Sequence, residues 1–218
     1  MITPAQRHRQ RIEAQEAAKA APALDAPTGT PYELMLANLD ADKRRLKAIQ
    51  SVAQKNAVKR ELLHDYTGWI DGVLAADGGQ QDDVLMHVLV WRIDAGDYDG
   101  ALTLARYALR HHLALPGQYN RTLGTLLADE FADAALDALK NDEAEGPAPE
   151  VLLSIDELTK AEDMPDEARA KLKKAIGLTV QYWDAPMGLT YLKAALALHS
   201  GVGVKKDIER MERQLKNP

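Results

Sequence analysis

Cysteine is absent from this sequence, and its absence excludes disulfides, thiolate zinc sites, iron–sulfur clusters and cysteine nucleophiles. Aromatic residues make up only 5%, so a core must be built mainly from leucine, alanine, valine, isoleucine and methionine. No apolar run approaches the roughly 18 residues that a membrane span needs, and the first residues lack the apolar segment typical of a signal peptide. We therefore expect a soluble protein of a reducing compartment that has no membrane partner.

The composition of the chain favours helices. Hydrophobic residues make up 46% of the 218 residues, and the unbranched ones lose little rotamer freedom in a helix. No stretch alternates apolar and polar residues as a strand would, so the sequence predicts an all-α fold. A first strong helix starts at Thr30-Pro31, because proline is favoured at the first helical position. Prolines and glycines then delimit further helices over about residues 62–76, 81–95, 98–113, 123–140, 149–162, 166–182, 186–200 and 204–216.

The first strong helix carries an apolar seam with heptad-like spacing. It comprises Tyr32, Met35, Leu39, Leu46, Ile49 and Ala53. Two polar residues, Asp42 and Asn56, interrupt the seam and would fix its register or its oligomeric state. The seam is a candidate oligomerisation surface. An ordinary amphipathic helix that packs within its own domain is the alternative, because short heptad matches are common.

Three regions are predicted along the chain. Residues 1–30 contain few large apolar side chains, so we expect a flexible basic arm with at most a transient helix. Residues 31–78 form a helical DNA-binding and oligomerisation region. Residues 79–218 form a helical-hairpin domain, in which residues 96–109 and 182–196 loosely match the tetratricopeptide hairpin. Two ordinary hairpins are the alternative, because a repeat array needs about three copies.

Charge is distributed unevenly, although the net charge is only -6. Residues 1–60 contain 11 Lys/Arg and 6 Asp/Glu, whereas the other 158 residues contain 16 and 27. A basic end of this kind is a hint of phosphate contact. Solvated helix faces that simply differ in charge are the alternative. The candidate DNA-binding residues are Arg7, Arg9, Arg11, Lys43, Arg44, Arg45, Lys47, Lys55, Lys59 and Arg60.

No catalytic constellation stands out. The sequence contains no Walker-type phosphate loop and no dinucleotide-binding fingerprint. Clustered carboxylates can hold magnesium in nucleases, which makes Asp82, Asp83 and Asp97 weak catalytic candidates. The same residues suit a helix N-terminus or a turn. The sequence therefore predicts no cofactor, no metal site and no assigned catalytic residue.

Several segments resemble one protein family. They include TPAQRH at residues 3–8, YELML at 32–36, QDDVLM at 81–86, WRIDAGD at 91–97, ARYAL at 105–109, DMPDEARAKL at 163–172 and GVKKDIER at 203–210. Together they run in order along nearly the whole chain, and they resemble the small terminase subunit of temperate contractile-tailed phages that package DNA from cohesive ends.

The resemblance implies a role in viral DNA packaging in the host cytoplasm. A small subunit of this family recognises cohesive-end DNA, assembles as a homo-oligomer, for which a ring is one expected form, and hands the DNA to a large subunit. The large subunit carries the ATPase and is the expected nuclease, so an endonuclease label would describe the complex. Two alternatives stay open: a helical-repeat adaptor that binds only proteins, and an intrinsic magnesium-dependent endonuclease that uses Asp82, Asp83 or Asp97.

Overall fold

Helices are the regular secondary structure throughout the part of the chain that the computed structural model describes, namely residues 2–19, 30–117, 119–141 and 145–216. The predicted all-α fold is confirmed. The helices are α1 Pro4–Lys19, α2 Pro31–Lys47, α3 Val52–Ala76, α4 Asp83–Ala95, α5 Tyr98–Arg110, α6 Leu123–Ala138, α7 Pro149–Leu158, α8 Asp166–Val180, α9 Ala185–Leu198 and α10 Lys205–Lys216. None of these described helices is long and apolar enough to cross a lipid bilayer.

The chain divides into two compact units, residues 1–118 and residues 119–218. The first contains α1 to α5 and the second contains α6 to α10. The sequence places a boundary after residue 78 instead. In the structure, α4 stays with the first unit because Asp82 accepts a hydrogen bond from Trp69 of α3 and Asp94 pairs with Lys59 of α3.

Helix α3 is the central element of the first unit, and it packs against α1, α2 and α4. Leu62, Tyr66, Trp69, Ile70 and Val73 on α3 are all at most 5% exposed. Helix α2 crosses α3, since Tyr32 stacks on Trp69 and the Tyr66 hydroxyl donates to Asp42, 2.7 Å away.

Helix α1 replaces the predicted mobile arm over Pro4–Lys19. It lies directly on α3 at two glycines that are one helical turn apart. A Cβ on Gly68 would stand 2.6 Å from the Arg7 carbonyl oxygen, and a Cβ on Gly72 would stand 2.5 Å from Ala14 Cβ. The two backbones therefore approach more closely than any larger residue at these two positions would permit. The rest of the predicted arm, residues 20–29, lies outside the described residues.

The predicted heptad seam is divided between two helices. Helix α2 ends at Lys47, and Ser51 starts α3 because its hydroxyl accepts the Gln54 N–H. Three seam residues on α2, namely Met35, Leu39 and Leu46, are buried within the first unit. Ile49 lies in the turn, and Ala53 is exposed on α3. The buried part of the seam therefore packs within its own unit.

Helices α4 and α5 form a tight hairpin. Gly96 ends α4 with a φ of 81°, a left-handed conformation that glycine adopts without steric strain. Asp97 then caps α5 by accepting the Gly100 N–H. The small side chains of Ala101, Ala105 and Ala108 are completely buried on α5.

The second unit is organised around α8, which packs against α6, α7 and α9. Gly177 of α8 and Gly188 of α9 face each other closely, because a Cβ on either would stand 2.9 Å from the carbonyl oxygen of the other. Leu192 of α9 packs with Val204, Ile208 and Met211 from the α10 region. The two predicted repeat copies, α4–α5 and α8–α9, lie in different units.

The contact between α1 and α3 can be tested with Gly72→Ala. The added methyl overlaps the Arg11 carbonyl oxygen and Ala14, and overpacking of this kind costs about 1–3 kcal/mol. We expect hydrogen exchange of the α1 amides to accelerate at least about tenfold, while the amides of α4 keep their protection. Gly117→Ala is the matched control, because a Cβ there meets no atom within 4 Å. Unchanged protection of α1 in Gly72→Ala would contradict the packing.

Candidate nucleic-acid interface

The end of α2 carries a concentration of positive charge. Its last turn contains Arg44, Arg45 and Lys47, where the negative end of the helix dipole stabilises cations. Arg45 lies 3.9 Å from Glu61 and Lys43 lies 3.6 Å from Asp40. Arg44 and Lys47 are exposed, and neither forms an ion pair within the described residues.

The start of α3 lies four residues further along the chain. Its N-cap is Ser51, and its first turn carries backbone N–H groups that lack intrahelical acceptors. Lys55 stands half-exposed just beyond this turn and pairs with no acidic group in the described residues. We call Arg44, Lys47 and Lys55 the basic corner. It combines mobile cations with the positive end of a helix dipole, which is a chemical environment suited to phosphate.

Two other predicted DNA-binding residues have structural partners instead. Lys59 contacts Asp94 of α4 at 2.5 Å, and its side chain is only 14% exposed. Arg60 donates through Nη2 to the Ala95 carbonyl oxygen at 3.0 Å. Both cations therefore hold α3 against the C-terminal end of α4, and the Asp94 carboxylate already neutralises the charge of Lys59.

The three arginines of α1 are exposed along its length. Arg9 pairs with Glu13 on the same helix at 2.7 Å, whereas Arg7 and Arg11 have no acidic partner in the described residues. The backbone carbonyls of Arg7 and Arg11 lie against Gly68 and Gly72 respectively, so the helix that carries these arginines has a defined position on α3. These arginines are thus presented on an anchored helix.

A cavity of about 280 Å³ shows how α1 and α2 lie beside each other. It is lined by Ile2, Gln10, Met35, Asn38, Ala41, Asp42, Asp65 and Tyr66. Ile2 and Asp42 therefore meet across the cavity, and Asp42 precedes Arg44 by only two residues. The segment that leads into α1 consequently lies beside the middle of α2.

The weak catalytic candidates all stabilise helix ends. Asp82 is 6% exposed, accepts the Leu85 N–H at 2.9 Å, and accepts the Trp69 indole N–H at 2.8 Å. Burial raises the pKa of Asp82. Asp83 accepts a hydrogen bond from Gln81, and Asp97 pairs with Arg92 at 2.7 Å while it caps α5. Within the described ranges, no group of three or more acidic or histidine side chains could hold a metal ion.

Tyr32 and Tyr66 also connect the helices of the first unit. Tyr32 stacks on Trp69, and its hydroxyl accepts the Asp83 N–H; burial raises its pKa to about 12. Burial and the hydrogen bond to Asp42 also raise the pKa of Tyr66. Asp42 is the polar residue that interrupts the sequence seam, and its partner explains why a carboxylate lies there.

Two features of the molecule escaped the sequence analysis. The Gly68–Gly72 pair has the small-xxx-small spacing that brings helices close, and that spacing was visible in the sequence. The exposed aromatic pair of the second unit, Tyr182 at 78% and Trp183 at 54% exposure, follows α8 directly. Nothing in the local sequence distinguishes Trp183 from the buried Trp69 and Trp91.

Comparison with known proteins identifies the family. The model of the phage small terminase subunit family matches residues 36–167, which include the basic corner. A relative named terminase, endonuclease subunit, from Escherichia phage P2, is 47% identical over 219 residues, covering 99% of this chain and 87% of that protein. This chain belongs to the phage small terminase subunit family.

A second relative of this small terminase subunit, a probable terminase, endonuclease subunit from Haemophilus phage HP1, is more distant. It is 27% identical over 107 residues, which cover 49% of this chain and 38% of that protein. No solved structure matches the chain. The family membership that the sequence segments suggested is confirmed.

The structural role of Asp82 can be tested with Asp82→Ala. The substitution removes an N-cap, at about 1 kcal/mol, and leaves the buried Trp69 N–H without an acceptor, at about 1–3 kcal/mol. We therefore expect the free energy of unfolding of the first unit to fall by about 2–4 kcal/mol in urea titrations. Asp83→Asn is the control, because the Asp83 side chain bonds only to exposed Gln81. Equal stability of the two variants would contradict this role.

Asp82→Asn separates charge from capping. Because burial raises the folded-state pKa of Asp82, the stability linked to this group is present at low pH and is lost as the pH rises through that pKa. The asparagine does not titrate. Between about pH 7 and pH 4, the wild-type protein should therefore gain stability relative to Asp82→Asn as the pH falls. A difference that is independent of pH would show that burial does not raise this pKa.

Proposed function

We propose that this chain is the DNA-recognition subunit of a phage packaging terminase. It binds cohesive-end duplex DNA, assembles as a homo-oligomer in the host cytoplasm, and delivers the DNA to a large subunit that carries the ATPase and the nuclease. The observation that supports this proposal most directly is the basic corner, where Arg44 and Lys47 are exposed and lack acidic partners in the described residues.

Unpaired cations are the appropriate chemistry for this task. A lysine or arginine that neutralises a phosphate releases condensed counterions, whereas a cation already paired with a carboxylate gains much less from the exchange. Lys59, which pairs with Asp94, is therefore a poor candidate, and the basic corner together with Arg7 and Arg11 forms the stronger set. Phosphate contacts give affinity and orientation, and base contacts would be needed for recognition of a particular site.

The connection between α2 and α3 also supports the proposal. Two helices joined by residues 48–51 have the short link found in helix-turn-helix proteins, in which the N-terminal residues of the second helix reach the major groove. In this chain the start of α3, with Gln54 and Lys55, would enter the groove, while Arg44 and Lys47 hold the flanking phosphates. The positive end of the α3 dipole favours the same orientation.

The second unit is the proposed contact for the large subunit. Tyr182 and Trp183 form an exposed aromatic pair at the end of α8, and aromatic side chains are enriched at the centre of protein interfaces. This observation also favours the second candidate function, a helical adaptor that binds proteins and makes no DNA contact. The two candidates differ only in whether the basic corner binds phosphate.

The names of the relatives contain the word endonuclease. We attribute that activity to the assembled complex, in which this subunit positions the DNA and the large subunit cuts it. Asp82, Asp83 and Asp97 support this assignment, since each already serves as a helix cap or a surface hydrogen-bond acceptor.

The double variant Arg44→Glu/Lys47→Glu tests DNA binding. Removal of two phosphate contacts should weaken binding of a cohesive-end duplex by at least about tenfold. It should also reduce the magnitude of the slope of log affinity against log salt concentration by about two. Fluorescence anisotropy at several salt concentrations measures both quantities. Unfolding of each protein should be followed in parallel, and only a small loss of stability is expected, about 0.3–1 kcal/mol for each glutamate placed at the negative end of the α2 dipole.

The matched control is Lys205→Glu/Lys206→Glu at the start of α10. It changes the net charge by the same amount at two exposed lysines of the second unit that form no ion pair among the described residues. If the two double variants weaken binding equally, the effect is one of net charge and the basic corner is not the contact. If the wild-type protein ignores DNA at low salt, the adaptor function stands instead.

A cleavage assay tests the assignment of the nuclease. The purified chain should leave supercoiled plasmid intact with magnesium, because the candidate carboxylates are engaged in helix ends. The plasmid, incubated with the chain and separated on an agarose gel, reports nicking directly. Nicking that is lost in Asp97→Asn, with helix content retained, would assign the chemistry to this subunit.

A further inference from the structure

The first turn of α3 is exposed as a whole. Ser51 is the N-cap of this helix, and residues 51–54 are all exposed. The first buried side chain of α3 is that of Leu62, ten residues after Val52. The start of α3 therefore belongs to the surface of the described first unit, and the core begins further along the helix.

Val52 places an aliphatic side chain in this exposed turn. It is 69% exposed, more than any other large aliphatic side chain in the described residues. The fold gains little from it, because the side chain is not buried and valine is a weaker helix former than alanine. Single exposed apolar residues are common on protein surfaces, so it is the position of Val52, rather than its exposure alone, that points to a role.

The surroundings of Val52 are positively charged. The first turn of α3 contains no acidic residue, although a helix N-terminus favours acids. Lys47 precedes Ser51 by four residues, and Lys55 follows Val52 by three, so that Lys55 and Val52 are neighbours on the helix surface. Neither lysine pairs with an acidic group among the described residues. An apolar side chain thus stands between cations that are free to bind phosphate.

The major groove of a duplex has a complementary pattern of groups. Phosphates run along the edges of the groove, and the edges of the bases form its floor. Thymine presents an apolar group there, its C5-methyl, and the groove is about 12 Å wide, which admits a helix. Packing of a valine side chain against that methyl removes both groups from water. The arrangement of Val52 between cations therefore matches a thymine between phosphates.

We propose that Val52 is a specificity-determining residue that contacts the C5-methyl group of a thymine in the major groove. The inference rests on the proposed function, and it supplies the base contact that phosphate binding by the basic corner lacks. Phosphate contacts carry no direct sequence information. The contact of Val52 with a methyl group gives each copy of the subunit a preference for thymine at one position of the site that it binds.

Replacement of thymine by uracil in the DNA tests this contact, because uracil lacks only the C5-methyl. One cohesive-end duplex is made with thymine and again with uracil at every thymine position. Both are titrated with the wild-type protein and with Val52→Ala, which removes both γ-methyl groups. Loss of one buried methyl weakens binding about fourfold. We therefore expect the wild-type protein to bind the uracil duplex about fourfold more weakly, and Val52→Ala to distinguish the two duplexes by less than about twofold.

Leu34→Ala is the matched control. Leu34 is also an exposed aliphatic residue, at 60%, but it lies 13 residues before Lys47, roughly 20 Å along α2. This variant should prefer the thymine duplex as strongly as the wild-type protein does. Val52→Ala should keep the wild-type salt dependence, because no charge is removed. A preference for thymine that is equal in Val52→Ala and the wild-type protein, or absent from both, would overturn the proposal.

The same titrations separate this proposal from the proposed function. If the wild-type protein binds the two duplexes equally tightly and with a steep salt dependence, the thymine contact is refuted and the proposed function stands. If it binds neither duplex at low salt, the proposed function itself is refuted. A smaller assembly of Val52→Ala in light scattering, with an unchanged preference for thymine, would assign Val52 to a contact between copies and overturn the proposal.

Discussion

The buried carboxylate of Asp82 is the contact on which the arrangement of the first unit depends. It joins α3 to α4, because it accepts the Trp69 indole N–H while capping the first turn of α4. Trp69 in turn stacks on Tyr32, whose hydroxyl accepts the next backbone N–H, from Asp83. The beginnings of α2 and α4 and the C-terminal third of α3 are thereby locked together at one point. The basic corner lies where α2 joins α3, and its Lys55 is 14 residues before Trp69, about 21 Å along the axis of α3.

Most helix boundaries could be read from the sequence because the signals are local. Thr30 forms the capping box expected before Pro31, and Gly96 ends α4 in the left-handed conformation. The division of the seam at Ser51 was missed, since one serine without a nearby proline or glycine is a weak signal. The docking of α1 was missed for a different reason: α1 itself is polar, and its anchoring information lies in Gly68 and Gly72, more than fifty residues away.

The candidate site could be predicted only as a set of charges. The sequence located the cations, but a charge contributes to phosphate binding only if no acidic partner already holds it. The carboxylate that holds Lys59 belongs to Asp94, 35 residues along the chain on α4, so periodicity could not distinguish Lys59 from Arg44 and Lys47. The sequence also could not assign a role to Asp82, because its position before a helix suits a helix cap and a metal ligand equally. The hydrogen bond from the Trp69 indole distinguishes the two roles, and it is visible only in the structure.

A chain with a net charge of -6 can still attract DNA, because charges act over a limited range. At physiological ionic strength the screening length is about 8 Å, so a phosphate responds to the cations near it. Much of the acidic middle of the sequence is also compensated locally: Asp129 lies between Arg121 and Lys171, and Asp156 pairs with Lys173. The cations of the basic corner have no such compensation in the described residues. Local pairing, rather than total charge, therefore determines which surface of this subunit is electrostatically suited to the duplex.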